Sequence, residues 1–213
     1  CACFGWVGMQ IGKLTLRHCR YGWMLFAGPY IGKCFDLYGQ YSESEVGLMR
    51  SFLQEGATVI DVGANIGAHT IALSAIVGEQ GKVYAIESHP EHFNILCANL
   101  ALNQIRNTMP INAFVALSPD VETGSREWGK YAYVSKRWET RFIALDALEL
   151  DACHLIKVDV DGNELEVLES GAMLIERFRP ILYFENDVQD VSSRLLDFVM
   201  NKLGYDLYQH RAP

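Results

Sequence analysis

The residues best suited to chemistry begin in "TVIDVGANIGAHTIALS", residues 58 to 74, where Asp61 lies inside an apolar run. Gly63 and Gly67 follow it, and an apolar pattern of helical period comes next. This order predicts a buried strand, a tight turn and a helix. Glycine lets a ligand approach the backbone closely, and ligands of open α/β sheets bind where the strands end. The turn is therefore predicted to bind a ligand through Asp61, Gly63, Ala64, Asn65 and Gly67.

Glu87 ends the next predicted strand, "KVYAIE". It follows the turn by about 20 residues, which is the spacing of an acid that binds ribose hydroxyls. A dinucleotide fingerprint reads G-x-G-x-x-G and binds pyrophosphate, whereas this turn reads G-x-x-x-G beside a carboxylate. The charge of Asp61 would repel pyrophosphate but attract a ligand that carries an ammonium and a sulfonium. We therefore expect S-adenosylmethionine as the cofactor, with a tight turn that binds no ligand as the alternative.

Further acidic residues end a later apolar run, "HLIKVDV". Asp159 is a candidate for catalysis and for cofactor binding, because a carboxylate at the end of a buried strand is costly unless it is paired or used. Asp161 is a second catalytic candidate, although with Glu164 it equally fits a capping box of the next helix. His69 is a third, since histidine is a common base and follows the glycine turn directly; an exposed structural histidine is the alternative.

The elements that must position these residues follow from the period of the apolar residues. Residues 11–38 contain three short strand-like runs, which predict a small antiparallel β unit within residues 1–40. In residues 41–213, Ser42 and Glu45 predict a capping box and a helix that Gly56 ends. Strands then alternate with helices, in the order "TVIDVG", 67–78, "KVYAIE", 91–103, "INAFVAL", "HLIKVDV", 163–178, "PILYFEN", 191–203 and "YDLYQH". We therefore predict an α/β fold with a doubly wound, mostly parallel sheet.

Composition limits the class of partner. The chain has 213 residues, enough for one domain with its own core, and a formal net charge of -8. The sequence contains no run of lysine and arginine and no apolar stretch of roughly 20 residues, so we predict neither nucleic acid nor membrane as a partner. The six cysteines form no C-x-x-C pair, which favours reduced thiols in a cytoplasmic protein. An oligomer is compatible with the sequence.

Five segments together resemble the FkbM-type family of class I S-adenosylmethionine-dependent methyltransferases: "DVGANIGAHT", "VYAIE", "LCANLALN", "LIKVDVDGNELEVLESGA" and "PILYFEN". The resemblance implies a Rossmann-like class I methyltransferase fold. It also implies a small-molecule acceptor, namely a hydroxyl group of a sugar, a polyketide or another natural product. By the same resemblance, residues 61–67 hold the methionine part of the cofactor, Glu87 the ribose with Ser88 beside it, and Ala116 and Leu117 lie near adenine.

The positions of Asp159, Glu185 and Asn186 also resemble those of the magnesium ligands in catechol O-methyltransferases, and hard oxygen ligands suit Mg²⁺. We predict no metal, with these three residues as the alternative. The chain departs from the FkbM pattern at "ESHP", where E-P is more frequent, and in the seventh strand, which is not visible after "YDLYQH".

Two other functions share the same sheet and the same acid at its edge. A NAD-dependent oxidoreductase would also use Glu87 on the ribose. A catalytically silent nucleotide-binding module would retain the cleft without the chemistry. The acidic turn favours the methyltransferase.

The predicted role of Glu87 can be tested directly. Replacing Glu87 by Ala should weaken cofactor affinity by roughly 1.5–3 kcal/mol, because charge-assisted hydrogen bonds to the ribose are lost. Calorimetry with S-adenosylhomocysteine measures the change. An unchanged dissociation constant would show that Glu87 lies elsewhere.

Overall fold

The structure of the protein, a computed structural model, describes residues 8–117, 141–186 and 189–210. Its first elements form a small antiparallel sheet and two helices. The strands pair in the order β1 (Met9–Ile11), β2 (Leu14–Cys19) and β3 (Gly22–Phe26). Two helices follow, α1 (Ile31–Tyr38) and α2 (Glu43–Phe52). The predicted antiparallel unit is confirmed, but its third run, "GKCFDLYG", forms helix α1 and not a strand.

Helix α1 shows why a short apolar run is ambiguous between helix and strand. Phe35 is buried and Ile31, one turn earlier, packs against the same apolar cluster. Leu37, which strand alternation would place on the side of Phe35, is 60% exposed. Gly39 then ends the helix in a left-handed conformation and donates its N–H to the carbonyl of Phe35.

The remaining elements alternate between strand and helix along the chain. They are β4 (Thr58–Val62), α3 (Ala68–Val77), β5 (Lys82–Glu87), α4 (Pro90–Leu102), β6 (Thr108–Asn112), β7 (Phe114–Val115), β8 (Phe142–Ile143), β9 (Leu155–Val158), α5 (Glu164–Glu169), α6 (Ala172–Phe178), β10 (Ile181–Phe184) and α7 (Gln189–Asp197), which continues as a π-helix over Phe198–Lys202. Among the described residues, five parallel strands form one sheet in the order β10-β9-β4-β5-β6. The predicted doubly wound α/β fold is confirmed. Within the same residues, no helix has both the length and the apolar character needed to cross a membrane.

Strand β4 lies at the centre of this sheet, and all five of its residues are buried. Because successive side chains of a strand point to opposite faces, Ile60 and Val62 pack with the residues of α5 to α7, whereas Val59 packs with α2 and α3. Asp61 therefore points to the same face as Val59. A charged residue on a fully covered face needs a partner within the fold.

Two predicted elements differ in the structure for identifiable reasons. The predicted helix 163–178 is interrupted between α5 and α6 at Ser170 and Gly171, where a side chain on Gly171 would meet Leu145 at 2.9 Å. The carboxylate of Asp146 instead accepts the N–H of Leu174 at 2.7 Å near the start of α6. The segment "YDLYQH" is not a strand; Tyr205 donates its hydroxyl to the carbonyl of Pro180 at 2.8 Å.

The predicted strand "INAFVAL" is divided in two. Its first part belongs to β6, which begins earlier, at Thr108, and pairs with β5. Its second part, β7, pairs in parallel with β8, an element that the sequence does not predict. Ala113, between the two parts, donates its N–H to the carbonyl of Glu87, and this bond turns the chain past the end of β5.

Asn99 in α4 and Asn103, which directly follows α4, attach the N-terminal sheet to the main sheet. Asn99 accepts the N–H of Leu25 at 2.6 Å and donates to the carbonyls of Leu25 and Ile66 at 3.0 and 2.8 Å. Asn103, one turn later, makes the corresponding pair of bonds with Trp23, at 2.7 Å each. The amide side chains therefore bind the open edge of β3 as a neighbouring strand would, and Asn99 links that edge to the glycine turn.

The buried amide of Asn99 should be costly to remove. Replacing Asn99 by Ala is expected to lower the free energy of unfolding by about 3 kcal/mol, because one buried and two partly buried backbone groups lose their partner. Urea denaturation measures the loss. The control is Asn103→Ala, whose partner groups on Trp23 lie in an exposed setting, with an expected cost of about 1 kcal/mol. Equal losses in the two variants would contradict the role given to Asn99.

Candidate functional site

The turn after β4 contains three residues in the left-handed region: Gly63 at φ 77°, Asn65 at φ 51° and Gly67 at φ 90°. Space adds a second reason for glycine at both ends. A Cβ at Gly63 would lie 1.8 Å from the carbonyl oxygen of Asp159, and a Cβ at Gly67 would lie 2.7 Å from the side chain of Leu96. The turn therefore packs closely against the residue after β9 on one side and against α4 on the other.

Glu87 closes the other side of the turn. Its Oε2 accepts the N–H of Asn65 at 2.7 Å, and its Oε1 accepts the N–H of His89 at 2.6 Å. Burial raises the pKa of Glu87, although these two hydrogen bonds act in the opposite direction. Each carboxylate oxygen can accept a further bond, so the two hydroxyls of a ribose fit this acid without displacing the backbone.

Lys157, in strand β9, brings three chain segments together beside the turn. Its Nζ lies 3.2 Å from Asp61 Oδ1, 3.5 Å from Asp159 Oδ2 and 3.2 Å from the carbonyl oxygen of Gly63. Asp61 and Lys157 face each other in the register of β4 and β9, and their side chains are 0% and 2% exposed. Thr70 donates its hydroxyl to the second carboxylate oxygen of Asp61 at 2.6 Å.

The surroundings of Asp61 correct one expectation. The expectation that Asp61 offers an uncompensated negative charge to a ligand is wrong, because the ammonium of Lys157 neutralises it within the fold. Burial lowers the pKa of Lys157, but attraction by Asp61 and Asp159 more than offsets this effect, so its pKa is raised overall and the lysine is charged. Asp61, Lys157 and Asp159 form a trio of two carboxylates and one ammonium, so the trio has one excess negative charge. It falls on Asp159, whose side chain is 42% exposed.

His69 lies in the first turn of α3, but it is not the exposed histidine of the alternative. Its side chain is 6% exposed, and its Nε2 lies 3.2 Å from Oε2 of Glu45 in α2. The ring of Tyr41 packs edge-on against it, with centroids 5.5 Å apart. Burial alone would raise the pKa of Glu45, but bonds from His69 and Ser42 lower it overall. His69 therefore joins α3 to α2 at the edge of the site.

The two predicted capping boxes are not present in the structure. Ser42 precedes α2 but is left-handed and makes no capping bond with its side chain, and the carboxylate of Glu45 lies beside His69. Helix α5 begins after Asn163, so Asp161 does not cap it. Glu164 instead accepts the N–H groups of Val160 and Gly162 at 3.3 and 3.0 Å, and it thereby stabilises the turn that carries Asp161.

Asp161 itself is exposed and left-handed, at φ 53°. Burial of its carboxyl and the nearby charge of Asp159 raise its pKa. Asp161 therefore lies near Asp159 in space, but it is more exposed to solvent. It makes none of the contacts that join Asp159 to the glycine turn.

Two of the oxygen ligands considered for magnesium, Glu185 and Asn186, directly follow β10. In residues 8–117, 141–186 and 189–210, no group of three or more His, Cys, Asp or Glu side chains has an arrangement that could hold a metal ion. Asn186 donates its amide to the hydroxyl of Ser192 at 2.9 Å. Glu185 follows β10, and its N–H donates to the carbonyl of Val158.

The residues expected near ribose and adenine lie along the next strand ends. Ser88 follows Glu87 and is partly buried, and its carbonyl accepts the amide of Asn112 at 3.3 Å. Ala116 is buried and bonds to Ile143, whereas Leu117 is 61% exposed. Ser118 and the tryptophans Trp128 and Trp138 lie outside the described residues. Leu117 therefore presents an apolar side chain at the edge of the site.

Sequence reasoning missed three residues that the fold brings to this site: Lys157, Glu45 and Thr70. A signal existed for the first, because a lysine between Ile156 and Val158 must lie inside a buried strand and needs a charged partner. Glu45 fits a helix cap equally well in the sequence. Thr70 carries no signal, since only the packing of α3 on β4 places its hydroxyl at Asp61.

Comparisons with known proteins agree with this geometry. A parallel sheet with a glycine turn after its central strand and an acid at the end of the next strand is typical of doubly wound nucleotide-binding folds, to which the class I methyltransferase fold belongs. The family model "Methyltransferase FkbM domain" matches residues 61–207, so the chain belongs to the FkbM methyltransferase family, and S-adenosylmethionine is the cofactor that this membership assigns to it. The residues around the turn fit that cofactor. Each carboxylate oxygen of Glu87 can accept a further hydrogen bond, and the carboxylate of Asp159 is partly exposed beside the ion-paired Asp61.

Solved structures resemble the chain in fold. The FkbM methyltransferase of Methylobacillus flagellatus has a TM-score of 0.56 and 17% identity, over 76% of this chain and 42% of that one. A SAM-dependent O-methyltransferase of Thermotoga maritima has a TM-score of 0.53 and 11% identity, over 92% of this chain and 69% of that one. At these identities the likeness shows the fold alone.

Curated relatives match over shorter stretches. A tRNA(Phe) (4-demethylwyosine(37)-C(7)) aminocarboxypropyltransferase of Methanocaldococcus jannaschii is 36% identical over 77 residues, or 36% of this chain and 30% of that protein. A protein-L-isoaspartate O-methyltransferase of Methanococcus maripaludis is 51% identical over 41 residues, or 19% of each. The chain thus spans less than a third of the length of these two relatives.

The contact between Gly63 and Asp159 makes a prediction about stability. Replacing Gly63 by Ala is expected to lower the free energy of unfolding by about 2–4 kcal/mol, because a left-handed alanine is strained and its Cβ meets the backbone of Asp159. Urea denaturation measures the change. The control is Gly47→Ala in α2, where a Cβ meets nothing within 4 Å and helix propensity should add about 0.5–1 kcal/mol. A Gly63 variant as stable as the parent protein would contradict the packing described.

Proposed function

We propose that this protein transfers the methyl group of S-adenosylmethionine to a hydroxyl oxygen of a small-molecule acceptor, such as a sugar, a polyketide or another natural product. Membership of the FkbM methyltransferase family supports the reaction class. The glycine turn and Glu87 support the cofactor. The acceptor class rests on the chemistry of the side chains around Asp159.

The position of Asp159 is the observation that carries the proposal. Its backbone touches Gly63 of the cofactor turn, and its carboxylate is the half-exposed member of the ion-paired trio. A carboxylate held there can accept the proton of an acceptor hydroxyl and orient its oxygen towards the turn. S-adenosylmethionine, when bound, supplies a methyl group on a positively charged sulfur. The residues of the chain then have to position the oxygen, receive its proton and limit access of water.

The charges around Asp159 favour a neutral acceptor. Burial raises the pKa of Tyr41 and of Tyr183, and the nearby carboxylates of Asp159 and Glu45 raise both further. Glu185 also acts on Tyr183, while the positive charge of Lys157 is engaged by Asp61 and Asp159. A phosphate-bearing acceptor would be repelled by this set of carboxylates. We therefore infer a sugar-like or other uncharged polyol, rather than a nucleic acid of the kind named for the tRNA-directed relative.

The tyrosines fit such an acceptor as well. Tyr183 lies beside Lys157 in the register of β10 and β9, and Tyr41 lies against His69. Both tyrosines are near enough to Asp159 for its charge to raise their pKa. Aromatic rings with a polar end bind molecules that have both apolar faces and hydroxyl groups. His69 is held by Glu45 and serves in this proposal to fix the wall of the site.

Two assays separate this proposal from the other functions. Calorimetry should show binding of S-adenosylhomocysteine and no preference for NAD, since the turn reads G-x-x-x-G and not the G-x-G-x-x-G of dinucleotide-binding turns. Preferential binding of NAD would favour the NAD-dependent oxidoreductase. Binding of S-adenosylhomocysteine without turnover on any hydroxyl acceptor would favour a silent module.

Turnover provides the direct test. The protein should release S-adenosylhomocysteine with a panel of glycosides and polyketide alcohols, and faster with uncharged members than with their phosphorylated counterparts. Asp159→Asn should lower kcat by about 10²–10⁴-fold, because the proton acceptor is lost. The control is Asp151→Asn, whose side chain is fully exposed and lies before the start of β9, with kcat unchanged. Equal rates in the parent protein and Asp159→Asn would remove Asp159 from the chemistry.

A further inference from the structure

We propose that Lys157 is a positioning residue that fixes the methionine end of the cofactor site. Its ammonium joins the interior of β4, the glycine turn and the segment after β9 at one point. The inference rests on the proposed function, since it requires that the cofactor bind at the glycine turn.

The contacts of Lys157 match the donors of an ammonium group. A lysine has three N–H donors and no acceptor. Three oxygens lie within reach of Nζ: Asp61 Oδ1, Asp159 Oδ2 and the carbonyl of Gly63, at 3.2, 3.5 and 3.2 Å. Two of these oxygens belong to the end of β4 and the turn after it, and the third belongs to the residue after β9. One cation therefore holds the start of the turn and Asp159 together.

Stability alone does not explain a charged residue at this position. Lys157 is fully enclosed between Ile156 and Val158, in a strand whose other residues are all buried and apolar. Buried ion pairs contribute little stability relative to apolar residues of similar volume. A methionine in place of Lys157, together with an apolar residue in place of Asp61, would fill the same space. What the charged pair adds is a fixed position for Gly63 and Asp159.

The two ends of the cofactor site are held by different contacts. At the ribose end, Glu87 is bound by the N–H groups of Asn65 and His89. At the methionine end, the carbonyl of Gly63 and the carboxylate of Asp159 are held by Lys157. Removing the ammonium should therefore loosen the methionine end and leave the ribose end in place.

Calorimetry with two ligands tests this difference. S-adenosylhomocysteine carries the amino acid portion, and 5′-methylthioadenosine keeps the nucleoside and sulfur without it. Lys157→Met should bind S-adenosylhomocysteine about 10- to 100-fold more weakly, while its affinity for 5′-methylthioadenosine changes by less than about threefold. A residue needed only for folding would weaken both ligands together. Equal losses for the two ligands would overturn the inference.

Two further variants keep the test decisive. Thr70→Val removes the other partner of Asp61 without touching Gly63 or Asp159, so the ratio of the two affinities should stay that of the parent protein. If Lys157→Met does not fold, the same change is made together with Asp61→Asn and compared with Asp61→Asn alone. The role of Lys157 would be overturned if Thr70→Val selectively lost affinity for S-adenosylhomocysteine. It would also be overturned if the double variant bound S-adenosylhomocysteine as well as Asp61→Asn alone.

The proposed function and this inference fail in different ways. If the parent protein binds neither ligand, the cofactor assignment itself is wrong. If the parent protein binds both and Lys157→Met loses both equally, the methyltransferase proposal stands and only the positioning role of Lys157 is rejected.

Discussion

The fold of this site depends on one buried ion pair. Asp61 and Lys157 lie on neighbouring parallel strands, in register, on a face covered by α2 and α3. Neither charge could remain there alone, because an unpaired ion inside a protein loses its hydration without compensation. The pair therefore requires that β4 and β9 keep their register, and this register places the glycine turn against Asp159. The position of the half-exposed carboxylate follows from it.

The rest of the site is assembled around that point by polar side chains that bind backbone. Asn99 joins the edge of β3 to the carbonyl of Ile66 within the turn, and Glu87 holds the turn from the side of β5. Glu45 and His69 connect α2 to α3 above the same sheet edge. The N-terminal sheet thus contributes to the site indirectly, because it is tied to the residues that shape the turn and contributes no charged group to the trio.

Sequence patterns were sufficient for the architecture, and they predict a location for the site. The alternation of buried strands with helices predicted the parallel sheet, and the glycine spacing with Glu87 predicted where its ligand should bind. Local patterns failed where two structures share one pattern. "GKCFDLYG" suits a strand or a helix, and Ser42 with Glu45 suits a cap, until packing against the core and the presence of His69 decide between them. The break between α5 and α6 lies where Asp146, which is distant in sequence, accepts the N–H of Leu174.

The sequence by itself determined the class of fold and the family, because these depend on the order of apolar, glycine and acidic residues along short segments, and the same order predicts which turn faces the cofactor. Only the tertiary structure decided which charges act on a ligand. Asp61 looks available in the sequence, yet Lys157, nearly a hundred residues later, cancels its charge through the register of two strands and leaves the excess on Asp159. Electrostatic interactions act through space, so their balance is set by which strands become neighbours.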